Sequence, residues 1–563
     1  MNRRYGLGLL LLLPVAAVAL NAPAVGDHCM VVTAEPHATW AALAVLRDGG
    51  VAADAMVTAA FVLAVTEPYA SGLGGGGFVV GYQPENGSSY ALDFRETAPS
   101  GATRDMFLGP DHQADPALSR TGALSVAVPG FVRGLWDLHQ RHGRLPWQRL
   151  VEPAAALARD GFPVSQMLAR KLVYNHALGR FDPAFQAVFL PSGQPLVEGE
   201  NLYQHDLART LAAIAEQGPA AFYEGPVAAA LARAVGAGGG ILSLDDLAGY
   251  RTVWREPVTG RYHDLEIISM PPPSSGGVHL VQMLNILEPF DLAAAGYGSA
   301  AAWHPLLEAM KFAFADRSRY LGDPDFVDAP AAWLTSRAHA DSQRAFIRPD
   351  RAVPLADIEG ASRASGVVEQ EHTTHISIVD VEGRAVAATL TINLSFGAGM
   401  IATGTGVILN DEMDDFAAAP GEPNAFGLIQ GERNAVAPHR RPLSSMTPTI
   451  VLDGGTPFMV TGSPGGSKII TATLQTILNV VDFGMDAREA VSVPRIHHQW
   501  YPETGYFEHF GLAPEVQIDL ESRGHILTAR SPMGNVQVIV RDRIAGVWTG
   551  ASDPRGMGLA AGF

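Results

Sequence analysis

The sequence predicts a single large globular unit that mixes helices with strands. Its 563 residues and 47% hydrophobic content are enough to bury a sizeable core. Helix-period and strand-period stretches recur along the chain, and no internal repeat divides it. The net charge of −18 and the lack of a long basic run argue against nucleic acid or an anionic membrane as a partner.

At the N-terminus, Arg3 and Arg4 precede an apolar run over 7–20, and Ala22-Pro23-Ala24 offers a small-x-small cleavage site before Val25. Residues 1–24 therefore read as a secretion signal. The run is short of the roughly 20 apolar residues that span a bilayer. The only cysteine, Cys29, rules out an intramolecular disulfide and a multi-cysteine metal site. It is read as a small packed residue without chemistry. Export without disulfides suits a bacterial periplasmic or secreted protein, free of the membrane once the signal is removed.

Residues 36–46 and 52–65 carry Ala, Val and Leu at helical spacing on either side of Gly49-Gly50, and the second is apolar nearly all round, which predicts burial. The glycines at 72, 74 and 77 match a dinucleotide fingerprint by spacing, but they follow a helix and precede a strand, the reverse of what that site requires. A tight crossing of close backbones is the reading here. Residues 90–96 alternate like a strand, with Asp93 and Arg95 on one face. A buried Arg95 would need a carboxylate, either from an incoming ligand or from an ion pair within the protein.

Helical patterns continue over 207–214 and 227–235, Ser243 and Asp246 form a capping box, and 271–277 reads as a rigid turn before a helix. Pro305 is expected to open a helix running to 320. From 338 to 372 charge rises and apolar periodicity fades, which predicts an exposed connection where cleavage is easily accommodated.

At Thr373 the texture changes abruptly to a strand through 379, then a turn at Asp380-Val381-Glu382-Gly383, then a second strand over 385–393. That turn fixes a register in which paired positions sum to 764. Thr373 then lies opposite Thr391, with Asn393 two residues on along the same face, while His375 pairs with Thr389. Further on, Glu412, Asp414 and Asp415 cluster in a segment that could hold a cation or an ammonium, or be a solvated loop. Ser444 and Ser445 sit in a Pro-bounded stretch, and Gly465-Gly466 precede a helix over 469–480. Backbone N–H groups at such a helix start can serve an oxyanion.

Taken together, Glu67-Pro68 with 71–78, Asp93-Phe94-Arg95-Glu96, 271–277, Thr373-Thr374-His375, 410–416, 442–446 and 462–466 resemble the γ-glutamyltransferase family of N-terminal-nucleophile hydrolases, over almost the whole mature chain. The resemblance implies an α+β fold, a four-layer αββα sandwich. It implies a precursor that cuts itself at His372–Thr373 into a large subunit, 25–372, and a small one, 373–563, which stay associated. It makes Thr373 the nucleophile, Thr391 its orienting partner, and Gly465 and Gly466 the oxyanion donors. Arg95, Ser444 and Ser445 would hold the substrate α-carboxylate, and Asn393, Glu412 and Asp415 its α-ammonium. Glutathione and other γ-glutamyl compounds are the implied donors, water, amino acids or dipeptides the acceptors, and no cofactor or metal is required. One departure is Phe426, which stands in the covering loop where many bacterial relatives carry Tyr; losing that phenol predicts a looser gate.

Two other readings compete. A glutaryl or cephalosporin-type acylase of the same superfamily would leave Glu412 and Asp415 unpaired in its pocket. An exported, non-catalytic solute-binding protein would also carry a signal and a mixed fold.

Overall fold

The computed structural model describes residues 22–358 and 373–563. The bond at His372 and residues 1–21 of the expected leader lie outside them. Among the described residues two seven-stranded antiparallel sheets face each other. The first runs in the order Leu559–Gly562, Met30–Thr33, Thr374–Val379, Ala385–Thr391, Gly76–Gln83, Ser88–Asp93, Val253–Arg255. The second runs Ala24–Gly26, Trp548–Ser552, Gln537–Arg541, Thr456–Gly462, Thr449–Asp453, Leu265–Ser269, Val258–Tyr262. Cleavage before Val25 would remove the first residue of that edge strand.

Strand alternation builds the layers. Val32, Phe78 and Val80 point inward and pack on Ile450, Val460 and Ile539 of the facing sheet. Their neighbours Val31, Val79, Ile376 and Ile378 point outward, under the helices Pro36–Arg47 and Ala52–Thr66. Helices Gly276–Leu287, Ala300–Tyr320 and Lys468–Val481 cover the other sheet. The result is the four-layer αββα sandwich.

The helix Ala52–Thr66 is buried on every face, as its composition predicts. Asp54 accepts from the Val51 N–H at its start, Pro68 follows its end, and each large side chain such as Phe61 gains about 1.5–3 kcal/mol on burial. The glycines after it serve close approach. A Cβ on Gly75 would lie 2.1 Å from the Thr391 carbonyl oxygen, and one on Gly76 2.5 Å from that of Phe94.

Several elements differ from the sequence expectation. The strand ends at Asp93, so Arg95 lies beyond it, and Asp93 pairs with Arg255 at 2.8 Å and Arg441 at 3.4 Å. Pro305 lies inside a helix that starts at Ala300, because Ser299 caps it by accepting from the Ala302 N–H. The stretch after 336 is not a plain exposed connection. It forms the helix Arg337–Arg344, whose His339 is buried against Asp316 at 2.7 Å. The second hairpin strand stops at Thr391, and Asn393 adopts φ 73°, so a turn rather than strand parity brings it to the site.

Candidate active site

The hairpin register sets the centre of the site. Thr374 pairs with Leu390 and His375 with Thr389, and the Asp380 N–H donates to the Arg384 carbonyl across the turn, as the turn chemistry predicts. Thr373, immediately before the strand, places its Oγ1 3.5 Å from Thr391 Oγ1. Thr391 Oγ1 in turn accepts from the Asn393 N–H at 2.9 Å. Below them His375 Nδ1 meets Thr389 Oγ1 at 2.8 Å, and burial pulls the imidazole down to about 3, keeping it neutral.

Thr373, Thr391 and Asn393 form one wall of a cavity whose other walls come from distant parts of the chain: Arg95, the short 3-10 turn Glu412–Asp415, Ser444 and Ser445, and Gly466 with Ile469 at the start of the helix Lys468–Val481. Of the residues expected at the site and described here, only Gly465 stays out of the lining. Gly465 and Gly466 have φ of 139° and 55°, conformations that favour glycine, where the chain leaves the strand Thr456–Gly462 for the helix.

Charge in the cavity is tightly arranged. Arg95, 1% exposed, donates through Nη1 to Glu412 and through Nη2 to Asp415, while Glu96 lies 3.8 Å away. The acids are therefore buried, not a solvated loop. One guanidinium cannot balance three buried carboxyls. Burial, opposed by Arg95, raises Glu96 to about 7 and holds Glu412 well above the usual carboxylate range. Asp414 faces the other way, accepting from Ser119 Oγ at 2.6 Å.

The serine segment is fixed from behind. Ser274 Oγ donates to the Met446 carbonyl and Ser275 Oγ to the Ser444 carbonyl, at 2.6 and 2.8 Å. The turn at 271–277 thus positions the site as well as starting a helix. Phe426 and Leu428 roof the cavity. The Phe426 ring lies so close to Gly466 that a Cβ there would be 2.6 Å from Cδ1. Asn424 Nδ2 donates to Asp415 at 3.2 Å, and Gln499 Nε2 donates to the carbonyls of Phe426 and Gly427 at 3.2 and 3.1 Å. With the roof down, the cavity volume is about 20 Å³, room for a water or two.

Sequence reasoning missed Arg317, which also lines the cavity. The signal was available: Leu306, Met310, Ala313 and Arg317 share one helix stripe, so a charge falls where the others are buried. Outside the cavity, His304, Glu308 and His525 form a buried group with metal-ligand atoms. There Lys311 Nζ, 2.8 Å from Glu308, already supplies the positive charge, and His304 uses its two nitrogens on His525 and the Arg348 carbonyl.

Comparison with known proteins decides the family. The family model described as Gamma-glutamyltranspeptidase matches residues 38–563. The chain belongs to the γ-glutamyltranspeptidase family. Like its relatives it is an enzyme. The glutathione hydrolase proenzyme of Escherichia coli strain K12 is 44% identical over 536 residues, covering 95% of this chain and 92% of that protein. Among solved structures, cephalosporin acylase from Bacillus halodurans is similar with a TM-score of 0.83 at 26% identity, over 96% of this chain and 97% of that one. The γ-glutamyltranspeptidase of Helicobacter pylori is similar with a TM-score of 0.56 at 42% identity, over 58% of this chain and 93% of that one.

Proposed function

We propose that this member of the γ-glutamyltranspeptidase family cuts itself at His372–Thr373 and then moves γ-glutamyl groups from glutathione and related donors to water, amino acids or dipeptides. The observation that carries the reading is the convergence on Thr373 of two buried guanidiniums, Arg95 and Arg317, two acids, two serines and a helix start, all in one cavity.

In the first step the Thr373 hydroxyl adds to the His372 carbonyl, the amide rearranges to an ester, and water hydrolyses it. The Thr373 α-amine is freed, with a reference pKa of about 7.7–8.0, near enough to neutrality to take the hydroxyl proton. In turnover, Arg95, Ser444 and Ser445 take the α-carboxylate of the donor, and Asn393, Glu412 and Asp415 its α-ammonium. This sets the γ-carbonyl at Thr373. The oxyanion is received by Gly465 and Gly466 N–H groups, and Thr391 orients the nucleophile. The amine leaves with a proton, and the γ-glutamyl ester is resolved by water or by an acceptor amine.

The leader-like segment over 1–24 supports export to the periplasm or outside the cell. The acylase reading draws on the Bacillus halodurans likeness, but a glutaryl carboxylate that drew Arg95 away would leave Glu412 and Asp415 in the pocket without the cation that now pairs them, whereas an ammonium would replace it. Denaturing electrophoresis tests the first step. Wild type should give two bands, the smaller beginning at Thr373, and Thr373→Ala one. An uncut wild type of intact mass defeats the proposal. Faster release from a glutaryl amide than from a γ-glutamyl anilide would instead favour the acylase.

A further inference from the structure

Arg317 is 2% exposed at the end of the helix Ala300–Tyr320 and reaches the same cavity as Arg95. Its Nε donates to Ser275 Oγ at 3.0 Å, and its Nη2 makes only a long contact, 3.4 Å, with the Leu443 carbonyl. Its Nη1 is buried with no hydrogen-bond partner among the described residues. Among the described residues no carboxylate lies within ion-pair distance of it. Ser445 Oγ, in the same cavity wall, is likewise buried without a partner.

A buried guanidinium left short of acceptors is expensive, so it calls for a partner, and in a cavity that partner can be a ligand. Burial, with Arg95 adding like-charge repulsion and Asp415 opposing, lowers Arg317 to about 10, so it remains charged at neutral pH. Arg95, by contrast, is already saturated by Glu412 and Asp415. Among the described residues that line the cavity, Arg317 Nη1 and Ser445 Oγ are thus buried donors without a partner.

We propose that Arg317 Nη1 and the Ser445 hydroxyl form a donor pair that receives the α-carboxylate of the γ-glutamyl donor, making Arg317 a second substrate-binding guanidinium beside Arg95. This rests on the reading of the cavity as a γ-glutamyl site. Binding then proceeds without first stripping Arg95 of both its acids. The donor's carboxylate is met by Arg317 and Ser445 while its ammonium approaches Glu412 and Asp415. As those acids turn to the ammonium, Arg95 is released to share the carboxylate.

The alternative role for Arg317 is to brace Ser275 and the segment at Leu443. The two are separated by comparing donors with and without the α-carboxylate: a γ-glutamyl anilide and its decarboxylated counterpart, a 4-aminobutyryl anilide. The readout is the ratio of their kcat/KM values in processed enzyme. Arg317→Gln should shrink that ratio by about ten- to a hundredfold, chiefly through KM for the γ-glutamyl anilide, and Arg317→Lys should restore part of it. A bracing role lowers both donors together, and an unchanged ratio overturns the proposal. Should Arg317→Gln fail to fold or process, Arg317→Lys and Ser445→Ala carry the test alone and combined. Two donors on one carboxylate give non-additive effects on the ratio, whereas strictly additive effects or none overturn it. Wild type that releases nothing from the γ-glutamyl anilide would defeat the functional reading itself, a result distinct from an unchanged ratio.

Discussion

Arg95 and Glu412 hold each other in the cavity, the guanidinium donating to the carboxyl with Asp415 on its other nitrogen. The group proposed to take a carboxylate is thus neutralised by the groups proposed to take an ammonium. A zwitterionic head group replaces both halves of this contact at once, and a ligand with a single charge replaces only one.

Arg95→Met should therefore damage the fold as well as binding. It would leave Glu96, Glu412 and Asp415 buried without their cation. A loss of about 3–5 kcal/mol in unfolding free energy is expected, together with a large rise in KM for γ-glutamyl anilide. Denaturant unfolding checks the first and steady-state kinetics the second. Arg95→Lys should recover little of either, since one ammonium cannot serve two acids in a fork.

Thr391 has two tasks in one hydroxyl, accepting from the Asn393 N–H and meeting Thr373 Oγ1. Thr391→Val should lower kcat by about ten- to a hundredfold and slow autocleavage, with KM moving less. Thr391→Ser should stay near wild type. The band pattern over time and the kcat of the cleaved fraction decide it.

Gly466 and Phe426 are coupled by contact. Gly466→Ala sets a Cβ 2.6 Å from the Phe426 ring at φ 55°, adding backbone strain of about 1–2 kcal/mol. It should lower Tm and lift the roof. In the Gly466→Ala, Phe426→Ala double variant the steric part should vanish, so the Tm loss falls short of the sum of the single losses.

Glu67 offers a pH test. It is buried, accepts from Tyr69 Oη at 2.7 Å and Thr374 Oγ1 at 2.8 Å, and burial, opposed by those bonds, raises it from 4.5 to about 7. A raised carboxyl holds its proton in the folded state while the unfolded chain has lost its own. Its contribution is therefore complete below about pH 4.5 and declines as pH rises through about 7, by roughly 3 kcal/mol in all. Glu67→Gln should flatten that part of the stability profile, read as Tm between pH 5 and 8.

Much of the site was legible because local rules fixed it. The turn at 380–383 set the hairpin register, and the register placed Thr391 against Thr373 without knowledge of the rest of the fold. Asn393 was expected there for the wrong reason: a left-handed turn, not strand parity, delivers it. Arg95 was marked as needing a partner, but the partner lies more than three hundred residues away, and no local pattern encodes that pairing. Arg317 was hidden inside a regular helix, and Pro305 misplaced that helix's start because Ser299 gave the stronger signal. The helix Arg337–Arg344 was read as a loop because its buried face is made by His339 and Gln343 rather than by large apolar residues.

The strand Thr374–Val379 lies third in its sheet, and its neighbours come from both ends of the chain: Met30–Thr33 beside it and Leu559–Gly562 one strand further out. Thr373 can face its cavity only when segments separated by more than five hundred residues are already seated around it. Scission at that bond would therefore act as a proofreading stamp, applied only to molecules that have finished assembling. Each half would afterwards retain the other as an interleaved sheet partner, so the mature heterodimer could be dismantled only by unfolding, and a separated pair would have to find its partner strands anew.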